Sequence, residues 1–318
     1  MKKKDSIENP DSMIDKIVLI ANLYYKSKLS QQEIAKKLNI SRPWVSKLLA
    51  RAEELEIVKI EVTAPFTNNS ELEHALMEKY GIQHVSAVKT DDTAKDYVAL
   101  AAANYFISHL KPKDVIGVGW GNAVSRFVSE LHPIHSPDAQ IVPLAGSFGN
   151  TFDILPNYNT IQLAETIGGT ANVLHTPATC SSLEEYETLM NNEHTRSLIH
   201  MAEHADILLV GIGVFETSIM PKYGILNPDE IAALKKKHAI GDVGLQYLDV
   251  QGNPVDIDAT RRMIKADIFK ASKNSRITLG IAEGLNKIDI IHVALSLKLI
   301  NAFFTDEQTA IALLEKES

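Results

Sequence analysis

The stretch SQQEIAKKLNISRPWVSKLLAR, residues 30–51, predicts two short helices joined by a tight turn. Ser30 and Glu33 have the spacing of a capping box, in which the serine hydroxyl accepts a hydrogen bond from the third helical amide and the glutamate accepts one from the cap amide. Asn39 closes the first helix, because asparagine tolerates the left-handed backbone that often ends a helix. Ser41 then caps the second helix, so each helix has its own start signal.

The apolar residues of these two helices fall on one side and the polar residues on the other. The inner faces consist of Ile34, Ala35, Leu38, Val45, Leu48, Leu49 and Ala52. The outer face of the second helix carries Arg42, Ser46, Lys47 and Arg51. This arrangement predicts a helix-turn-helix that binds DNA, and the alternative is an ordinary helical hairpin with a solvated charged face. The small Ala35 and the caps on both helices favour the helix-turn-helix.

We expect the DNA contacts to come from the polar and basic residues of this motif. Arg42, Ser46 and Lys47 would face the major groove, where arginine or lysine reads guanine and serine bonds a base or a phosphate. Trp44 and Arg51 border that face. The full candidate set is Ser30, Gln31, Lys36, Lys37, Ser41, Arg42, Pro43, Trp44, Ser46, Lys47 and Arg51. Two such motifs in a dimer require DNA half-sites about one helical turn, or a multiple, apart.

The composition is that of an ordinary globular protein with more than one domain. The chain has 318 residues, of which 45% are hydrophobic and 23% are charged. The single cysteine, Cys180, excludes an intrachain disulfide and fits a reducing cytoplasm. The amino-terminal sequence has no apolar segment typical of a secretory signal, and no apolar run approaches the ~18 residues that span a bilayer. We therefore expect a cytoplasmic protein that makes no membrane contact.

Charge is distributed unevenly along the chain, whose net charge is −8. Residues 1–60 contain 12 basic and 8 acidic residues, which gives +4, and the remainder contains 20 basic and 32 acidic residues, which gives −12. A basic unit attached to an acidic body favours polyanion binding at one end of the molecule.

Residues 1–63 are expected to form the DNA-binding domain. Apolar residues at helical spacing predict a further helix over residues 13–26, which would bury the inner faces of the other two. Residues 56–62, EIVKIEV, predict a strand or short wing. A Pro, Thr and Asn cluster after residue 63 marks a boundary, and Ser70 then caps a helix that extends to Tyr80. That helix packs on its own domain or on a second copy, and the sequence leaves both options open.

Residues 64–318 alternate between strands and helices. Strands are predicted at 84–88, 115–119, 140–144, 171–174, 206–211, 277–281 and 302–304. Helices are predicted at 94–110, 123–131, 160–168, within 183–204, and at 228–237, 288–299 and 307–316. This alternation predicts an α/β domain with a mostly parallel sheet covered on both faces, whose ligands bind at the carboxyl ends of the strands.

Several of these strand ends are rich in glycine. The clearest of these strand ends is residues 115–124, VIGVGWGNAV, in which a strand passes through three glycines into a helix. Backbone amides in such a loop, together with the start of the helix, can bind a phosphate. The alternative is that the glycines only form a tight turn between strand and helix. Similar strand ends are PLAGSFGN (143–150), VGIG (210–213), GDVGLQ (241–246) and IAEGLNK (281–287). Asp242 could accept hydrogen bonds from sugar hydroxyls and Lys287 could pair with a phosphate, unless both are simple surface charges. Together the five ends favour one polar, phosphorylated ligand.

The sequence contains no recognisable metal or catalytic motif. The 11 histidines form no HxH or HExxH pair, so we expect neither a metal nor a cofactor. Cys180 is expected to be an inert buried residue. Trp120 could stack on a sugar ring or wedge the turn that follows its strand, with equal weight.

With these motifs in place, the chain resembles the SorC/DeoR-type sugar-binding transcriptional regulators of bacteria. The resemblance runs from about residue 14 and rests on residues 23–62, on GVGWG, PLAG, ADILLVGIG and GDVG, and on FTDEQTAIALL at 304–314. It implies an N-terminal helix-turn-helix domain and a Rossmann-like α/β effector-binding domain that resembles sugar-phosphate isomerases and deaminases. It also implies a homo-oligomer, a dimer or a tetramer, that binds operator DNA under the control of a phosphorylated sugar.

Residue by residue, the resemblance implies an effector site formed by Gly119, Trp120, Gly121, Asn122, Ala123, Ala145, Gly146, Ser147, Asp242 and Lys287. Asp242 takes the acidic position that contacts sugar hydroxyls, and Lys287 takes the basic position before a late helix. Members of the family often have a larger polar or charged residue in place of Ala145. They also often have AGG where this chain has Ala282, Glu283 and Gly284. These departures argue against a bisphosphate ligand.

Two classes of function follow from these observations. The first is a DNA-binding regulator, expected to control carbohydrate metabolism genes, that senses a sugar phosphate. The second is a sugar-phosphate isomerase or deaminase with an appended helical domain. Such an enzyme needs an acid–base pair, and Asp242 is the only candidate carboxylate at the expected ligand site. The sequence therefore favours a regulator without catalytic residues.

Overall fold

The computed structural model describes residues 10–55, 57–58, 70–89, 96–136, 138–147, 156–214 and 226–317. The chain divides into two compact units, Met1–Ala64 and Pro65–Ser318. Among the described residues, no helix is both long enough and apolar enough to cross a membrane.

The described part of the smaller unit is helical. It contains α1 (Pro10–Ala21), a π-helical turn (Asn22–Lys26), α2 (Gln31–Leu38) and α3 (Arg42–Glu54). The helix predicted at 13–26 is confirmed, with its last turn in the π form. The three helices bury a common core formed by Ile17, Ile20, Ile34, Val45, Leu48, Leu49 and Ala52. The core residues from α2 and α3 are those that the helical spacing of the sequence places on the inner faces. In α1 the spacing holds for Ile17, whereas Ile14 and Val18 are exposed and Ile20 is buried in the core.

The predicted signals at the ends of α2 are confirmed. The amide of Glu33 donates to the Ser30 hydroxyl over 3.2 Å, and the amide of Ser30 donates to the Glu33 carboxylate over 2.8 Å. Asn39 has a φ of +52°, which is the left-handed conformation expected there. The result is a sharp stop between α2 and α3.

The strand predicted at residues 56–62 does not begin at Ile57 or Val58. The amides of both residues donate to the carbonyl of Ala52, over 2.9 and 3.1 Å, so these residues fold back over the end of α3. The other residues of that prediction lie outside the described part of the chain, as does the expected boundary after residue 63.

The larger unit is an α/β structure built on a mostly parallel sheet, as predicted. Its strands are β1 (His84–Val88), β2 (Val115–Val118), β3 (Gln140–Pro143), β4 (Thr170–Ala171), β5 (Ile207–Gly213), β6 (Gly241–Val243), β7 (Gln246–Leu248), β8 (Ile277–Ile281) and β9 (Ala302–Asp306). The parallel part has the order β1-β9-β8-β5-β2-β3-β4, and the antiparallel hairpin β6–β7 pairs with the end of β5.

The helices of the larger unit fall close to the predicted positions, with two additions. They are α4 (Ser70–Tyr80), α5 (Tyr97–His109), α6 (Asn122–Glu130), α7 (Pro156–Ile167), α8 (Leu183–Met190), α9 (Glu193–Glu203), α10 (Pro228–Lys236), α11 (Asp258–Arg261), α12 (Ile268–Asn274), α13 (Ile288–Ser296) and α14 (Glu307–Glu315). Residues 94 and 95, where a helix start was predicted, lie outside the described residues. The sequence did not predict α11, α12 or the hairpin β6–β7. The strand predicted at 171–174 is present as the shorter β4, Thr170–Ala171, so its position beside β3 is confirmed but its predicted extension to residue 174 is wrong.

Helices cover both faces of the sheet, which explains the unbroken apolar run of β5. Leu208 and Val210 belong to the apolar cluster that includes residues of α4, α9, α12, α13 and α14. Ile207 and Leu209 point the other way, into a cluster with residues of α5, α6 and α7. Alternate residues of one strand therefore build two separate cores, as is typical of a buried parallel strand.

Candidate functional site

A cleft of about 300 Å³ lies at the carboxyl ends of β2 and β5. These strands are neighbours, and the sheet continues from β2 to β3 on one side and from β5 to β8 on the other. Such a reversal of strand order is the position at which open α/β sheets bind ligands. The cleft is lined by Trp120, Gly121, Asn122, Ala123, Arg126, Gly211, Ile212, Gly213, Asp242, Glu283, Asn286 and Lys287.

Six residues expected at an effector site lie together in this cleft: Trp120, Gly121, Asn122, Ala123, Asp242 and Lys287. Gly121 precedes α6 with a φ of +103°, a conformation that a side chain would strain. It caps the helix without a side-chain hydrogen bond, and the first turn of α6 faces the cleft through Asn122 and Ala123. This helix start presents backbone donors and the positive end of the helix dipole to a ligand.

The other four expected residues do not line the cleft. The amide of Gly119 donates to the carbonyl of Leu209 over 2.7 Å, so this glycine serves the packing of β2 against β5. Ala145 is buried in an apolar cluster, and Gly146 lies so close to Pro177 that a Cβ would clash with its backbone. Ser147 lines a separate surface depression with Asn157 and Thr176 among others. These positions are occupied by structural contacts, which the glycine-rich pattern of the sequence could not distinguish from ligand contacts.

Trp120 lines the cleft but is largely buried, which limits the face that its ring could offer to a ligand. Only 7% of its surface is exposed, and it packs in a cluster with Leu245 and Tyr247. Its carbonyl lies 2.6 Å from where a Cβ of Gly211 would stand, so the end of β5 must be glycine there. Of the two roles considered for Trp120, the packing favours the wedge.

Asp242 forms the floor of the cleft from the hairpin strand β6. Its carboxylate accepts a hydrogen bond from the amide of Leu245 over 3.0 Å. A Cβ at Gly213 would stand 2.7 Å from its second oxygen, which explains the glycine opposite it. Burial raises the pKa of Asp242 to about 7, against the opposing effects of the Leu245 amide, Lys287 and Lys265. A carboxyl with this pKa can donate or accept a hydrogen bond near neutral pH.

The cations of the cleft are Lys287 and Arg126, and the sequence predicted only the first. Burial and the Arg126 charge lower the pKa of Lys287, whereas Glu283 and Asp242 raise it. The Arg126 guanidinium, on α6, lies 3.1 Å from Asp96 and 2.9 Å from Glu283. Glu283 was noted as a departure from the family pattern, but no local pattern linked it to Arg126 because they are far apart in the sequence.

A third cation, Lys265, lies close to Asp242 and escaped the sequence analysis. It pairs with Ala145 in an isolated β-bridge, and its ammonium donates to the Gln246 side chain over 2.9 Å. Burial lowers its pKa, while Asp267, Asp242 and Glu203 raise it. Within the described ranges, no group of three His, Cys, Asp or Glu residues is placed to hold a metal ion.

The candidate DNA contacts of the smaller unit are mostly exposed. Lys36, Lys37, Arg42, Pro43 and Ser46 are exposed side chains, and Gln31 is half-buried. The ammonium of Lys47 lies 5.5 Å from the centre of the Trp44 ring, within range of a cation–π interaction.

Three further candidates already have partners within the smaller unit. The Ser30 hydroxyl belongs to the capping box, and the Ser41 hydroxyl accepts a hydrogen bond from the Trp44 amide over 3.3 Å. The Arg51 guanidinium lies 2.6 Å from the Glu54 carboxylate. Arg42, Lys47 and the two lysines of α2 therefore supply the basic charge of this surface.

Comparison with known proteins identifies relatives over nearly the whole chain. Residues 64–315 match the family described as "Putative sugar-binding domain". The deoxyribonucleoside regulator of Bacillus subtilis (strain 168) is 33% identical over 300 residues, which cover 92% of this chain and 95% of that protein. The sorbitol operon regulator of Klebsiella pneumoniae is 28% identical over 320 residues, which cover 97% of this chain and all of that protein. The crystal structure of that full-length regulator, SorC, matches with a TM-score of 0.75 at 26% identity over 99% of this chain.

Proposed function

The chain belongs to the SorC/DeoR-type family of sugar-binding transcriptional regulators, and from this premise we propose how its two units divide the task. Its relatives are regulators by name, and the chain is accordingly a regulator and not an enzyme. We propose that residues 1–63 bind operator DNA through a helix-turn-helix, and that residues 64–318 bind a phosphorylated sugar that changes the affinity for DNA.

The DNA-binding half of the proposal is supported by the surface of α3. Arg42, Ser46 and Lys47 are exposed on it, while Val45, Leu48 and Leu49 hold the helix in place from behind. Arginine or lysine at a major groove reads guanine, and each good contact of this kind discriminates by roughly 1–3 kcal/mol. Lys36 and Lys37, exposed at the end of α2, would contact phosphates and contribute to affinity without selecting a sequence.

The effector half is supported by one observation above the others. The start of α6, the cations Arg126 and Lys287, and the buried carboxyl of Asp242 all face one cleft. Backbone donors with two cations suit a phosphate, and a carboxyl opposite them suits the hydroxyl groups of a sugar. The names of two relatives, the sorbitol operon regulator and the deoxyribonucleoside regulator, refer to sugar and nucleoside metabolism. We propose that this chain likewise regulates genes of carbohydrate metabolism.

We also propose that the protein is a cytoplasmic homodimer or homotetramer. An operator read by two copies of α3 would contain two half-sites about one helical turn, or a multiple, apart. A footprint that covers a single half-site would contradict this arrangement.

One set of DNA-binding titrations tests both halves. A genomic fragment bound by the wild-type chain is titrated with Arg42→Ala and Lys287→Ala, each with and without a panel of sugar phosphates. We expect Arg42→Ala to weaken specific binding by roughly 10- to 100-fold. We expect Lys287→Ala to bind DNA normally but to lose the response to the sugar phosphate.

Arg196→Ala is the control for Arg42→Ala, and Lys273→Ala is the control for Lys287→Ala. Both control residues are exposed on the larger unit, and each replacement removes the same type of charge away from the proposed sites. If Arg42→Ala bound as Arg196→Ala does, the proposed reading surface would be wrong. If Lys287→Ala responded to the sugar phosphate as Lys273→Ala does, the proposed phosphate site would be wrong.

A further inference from the structure

Arg126 forms ion pairs with two carboxylates, Asp96 and Glu283, which have different roles. Asp96 lies 3.1 Å from its Nε, and the other oxygen of Asp96 accepts the Ala99 amide at the start of α5 over 3.0 Å. Asp96 is therefore fixed by the helix that it caps, and its second oxygen makes an ion pair with the guanidinium without a hydrogen bond. Glu283 lies 2.9 Å from Nη2 and lines the cleft itself.

The side chain of Glu283 is held less firmly than its backbone. The next amide, that of Gly284, donates to the Thr309 hydroxyl over 2.9 Å and to Asp306 over 3.3 Å. Gly284 has a φ of +106°, so this turn is fixed in a conformation that suits glycine. Among the described residues, the Glu283 carboxylate has a hydrogen bond to Arg126 alone. It can therefore leave Arg126 by rotation of its side chain without movement of the loop.

Glu283 also acts on the second cation of the cleft. Its charge raises the pKa of Lys287, so the carboxylate lies within electrostatic reach of both Arg126 and Lys287. Burial raises the pKa of Glu283, with smaller contributions from Asp96 and Asp306, and Arg126 opposes this change by favouring the charged carboxylate. This carboxylate therefore offsets part of the positive charge that a phosphate would use in the cleft.

We propose that Glu283 is a resident anion that occupies the phosphate position of the cleft in the absence of effector, and that an incoming phosphate displaces it from Arg126. This inference rests on the proposed function of the cleft. It identifies Glu283 as a residue that determines specificity, because each added negative charge on the ligand must be accommodated beside a carboxylate. The effector class that fits is a sugar with a single phosphate.

The displacement also has a structural consequence. Arg126 belongs to α6, which follows β2, and Glu283 belongs to the loop that follows β8, with β5 between these strands. Their ion pair links α6 to this loop, and both residues line the cleft. A phosphate that replaces Glu283 at Arg126 breaks this link and places the ligand between α6 and the loop.

The test is calorimetric titration of the full-length chain with inorganic phosphate and with ribose 5-phosphate. Glu283→Gln is expected to bind both probes about tenfold more tightly than the wild type, since it removes one like charge beside a partly exposed anion site. Part of this gain comes from the release of Arg126, so Glu283→Gln is expected to strengthen binding by a smaller factor in an Arg126→Ala background than in the wild type. Glu187→Gln makes the same charge change on exposed α8 and is expected to leave affinity unchanged.

The outcomes separate this inference from the proposed function. If Arg126→Ala and Lys287→Ala weaken binding of the probes but Glu283→Gln does not strengthen it, the resident-anion role is wrong and the phosphate site stands. If Glu283→Gln strengthens binding by the same factor with and without Arg126, the displacement is wrong. If none of the variants changes the affinity for either probe, the phosphate site itself is wrong, and this inference with it.

Discussion

Replacement of Asp242 by asparagine should stabilise the larger unit at pH 8 and have little such effect at pH 4. Burial raises the pKa of this carboxyl to about 7 from its ordinary value of 3.8, and Lys287, Lys265 and the Leu245 amide only partly oppose the change. The folded state thus binds the proton more tightly than the unfolded chain does. The favourable contribution of protonated Asp242 is complete below pH 3.8, is lost as the pH rises to about 7, and stays lost above it.

The size of this effect follows from the two pKa values. One pKa unit corresponds to about 1.4 kcal/mol, so the interval between them amounts to about 4 kcal/mol at pH 8. The substituted asparagine would carry no charge, and its side-chain oxygen can still accept the Leu245 amide, so the variant avoids this cost. Any change in packing or hydrogen bonding adds an offset that does not depend on pH. The difference between pH 8 and pH 4 is therefore the quantity to measure.

The assay is urea unfolding at pH 4, 6 and 8. A Trp44→Phe background leaves Trp120, which packs near Asp242, as the only tryptophan to report on the larger unit. Asp138→Asn is the control, because Asp138 is exposed. The free energy of unfolding of Asp242→Asn relative to the parent should rise by several kcal/mol between pH 4 and pH 8, because only the parent buries a charge at the higher pH. An identical difference at both pH values would refute the assignment of a buried, raised-pKa carboxyl.

Two further predictions concern the fold itself. Ser30→Ala removes the capping box of α2 and should lower the free energy of unfolding of the smaller unit by about 1 kcal/mol, measured by thermal unfolding. Ser30→Asp should retain most of the stability of the wild type, because aspartate can also cap the helix. A loss of DNA binding by Ser30→Ala at unchanged stability would instead indicate a direct contact. Gly119→Ala places a Cβ 2.7 Å from the Leu209 carbonyl and should cost roughly 1–3 kcal/mol, measured by urea unfolding. Full stability of Gly119→Ala would show that β2 and β5 can separate at this point.

The helices and most strands could be predicted from the sequence because their signals are local. The capping residues of α2 and the unbroken apolar run of β5 each predict a secondary-structure element from a few neighbouring residues. The hairpin β6–β7 escaped because each strand has only three residues, and because Leu245 adopts a φ of +68° in its turn. Leucine is not the residue type by which such a turn is recognised.

The candidate site could be predicted only in part, for a related physical reason. Lys287 follows β8, and the carboxyl ends of parallel strands meet at one edge, so its position at the cleft follows from the fold class. Asp242 lies within the hairpin strand β6, and the pairing of β6 with the end of β5, which the sequence did not predict, brings it to the cleft. Arg126, Asp96 and Glu283 meet through tertiary packing, for which the sequence gives no spacing. Glycine-rich strand ends led to the opposite error, because some glycines predicted at the ligand site have a structural role instead. Gly119 and Gly146 permit close backbone contact within the protein, and the same residue type would permit close contact with a ligand.

The pairing of β1 with β9 has a consequence for the order in which the protein forms during synthesis. β1 is an edge strand whose one partner in the described sheet is β9, and the ammonium of Lys79 on α4 donates to the carbonyls of Leu313 and Leu314 on α14. This side of the larger unit therefore cannot assemble until β9 and α14 have emerged from the ribosome. The three helices of the smaller unit pack on one another within residues 10–54, so they can form once this segment has emerged. The nascent chain would thus carry a folded amino-terminal unit while the α/β sheet behind it is still incomplete.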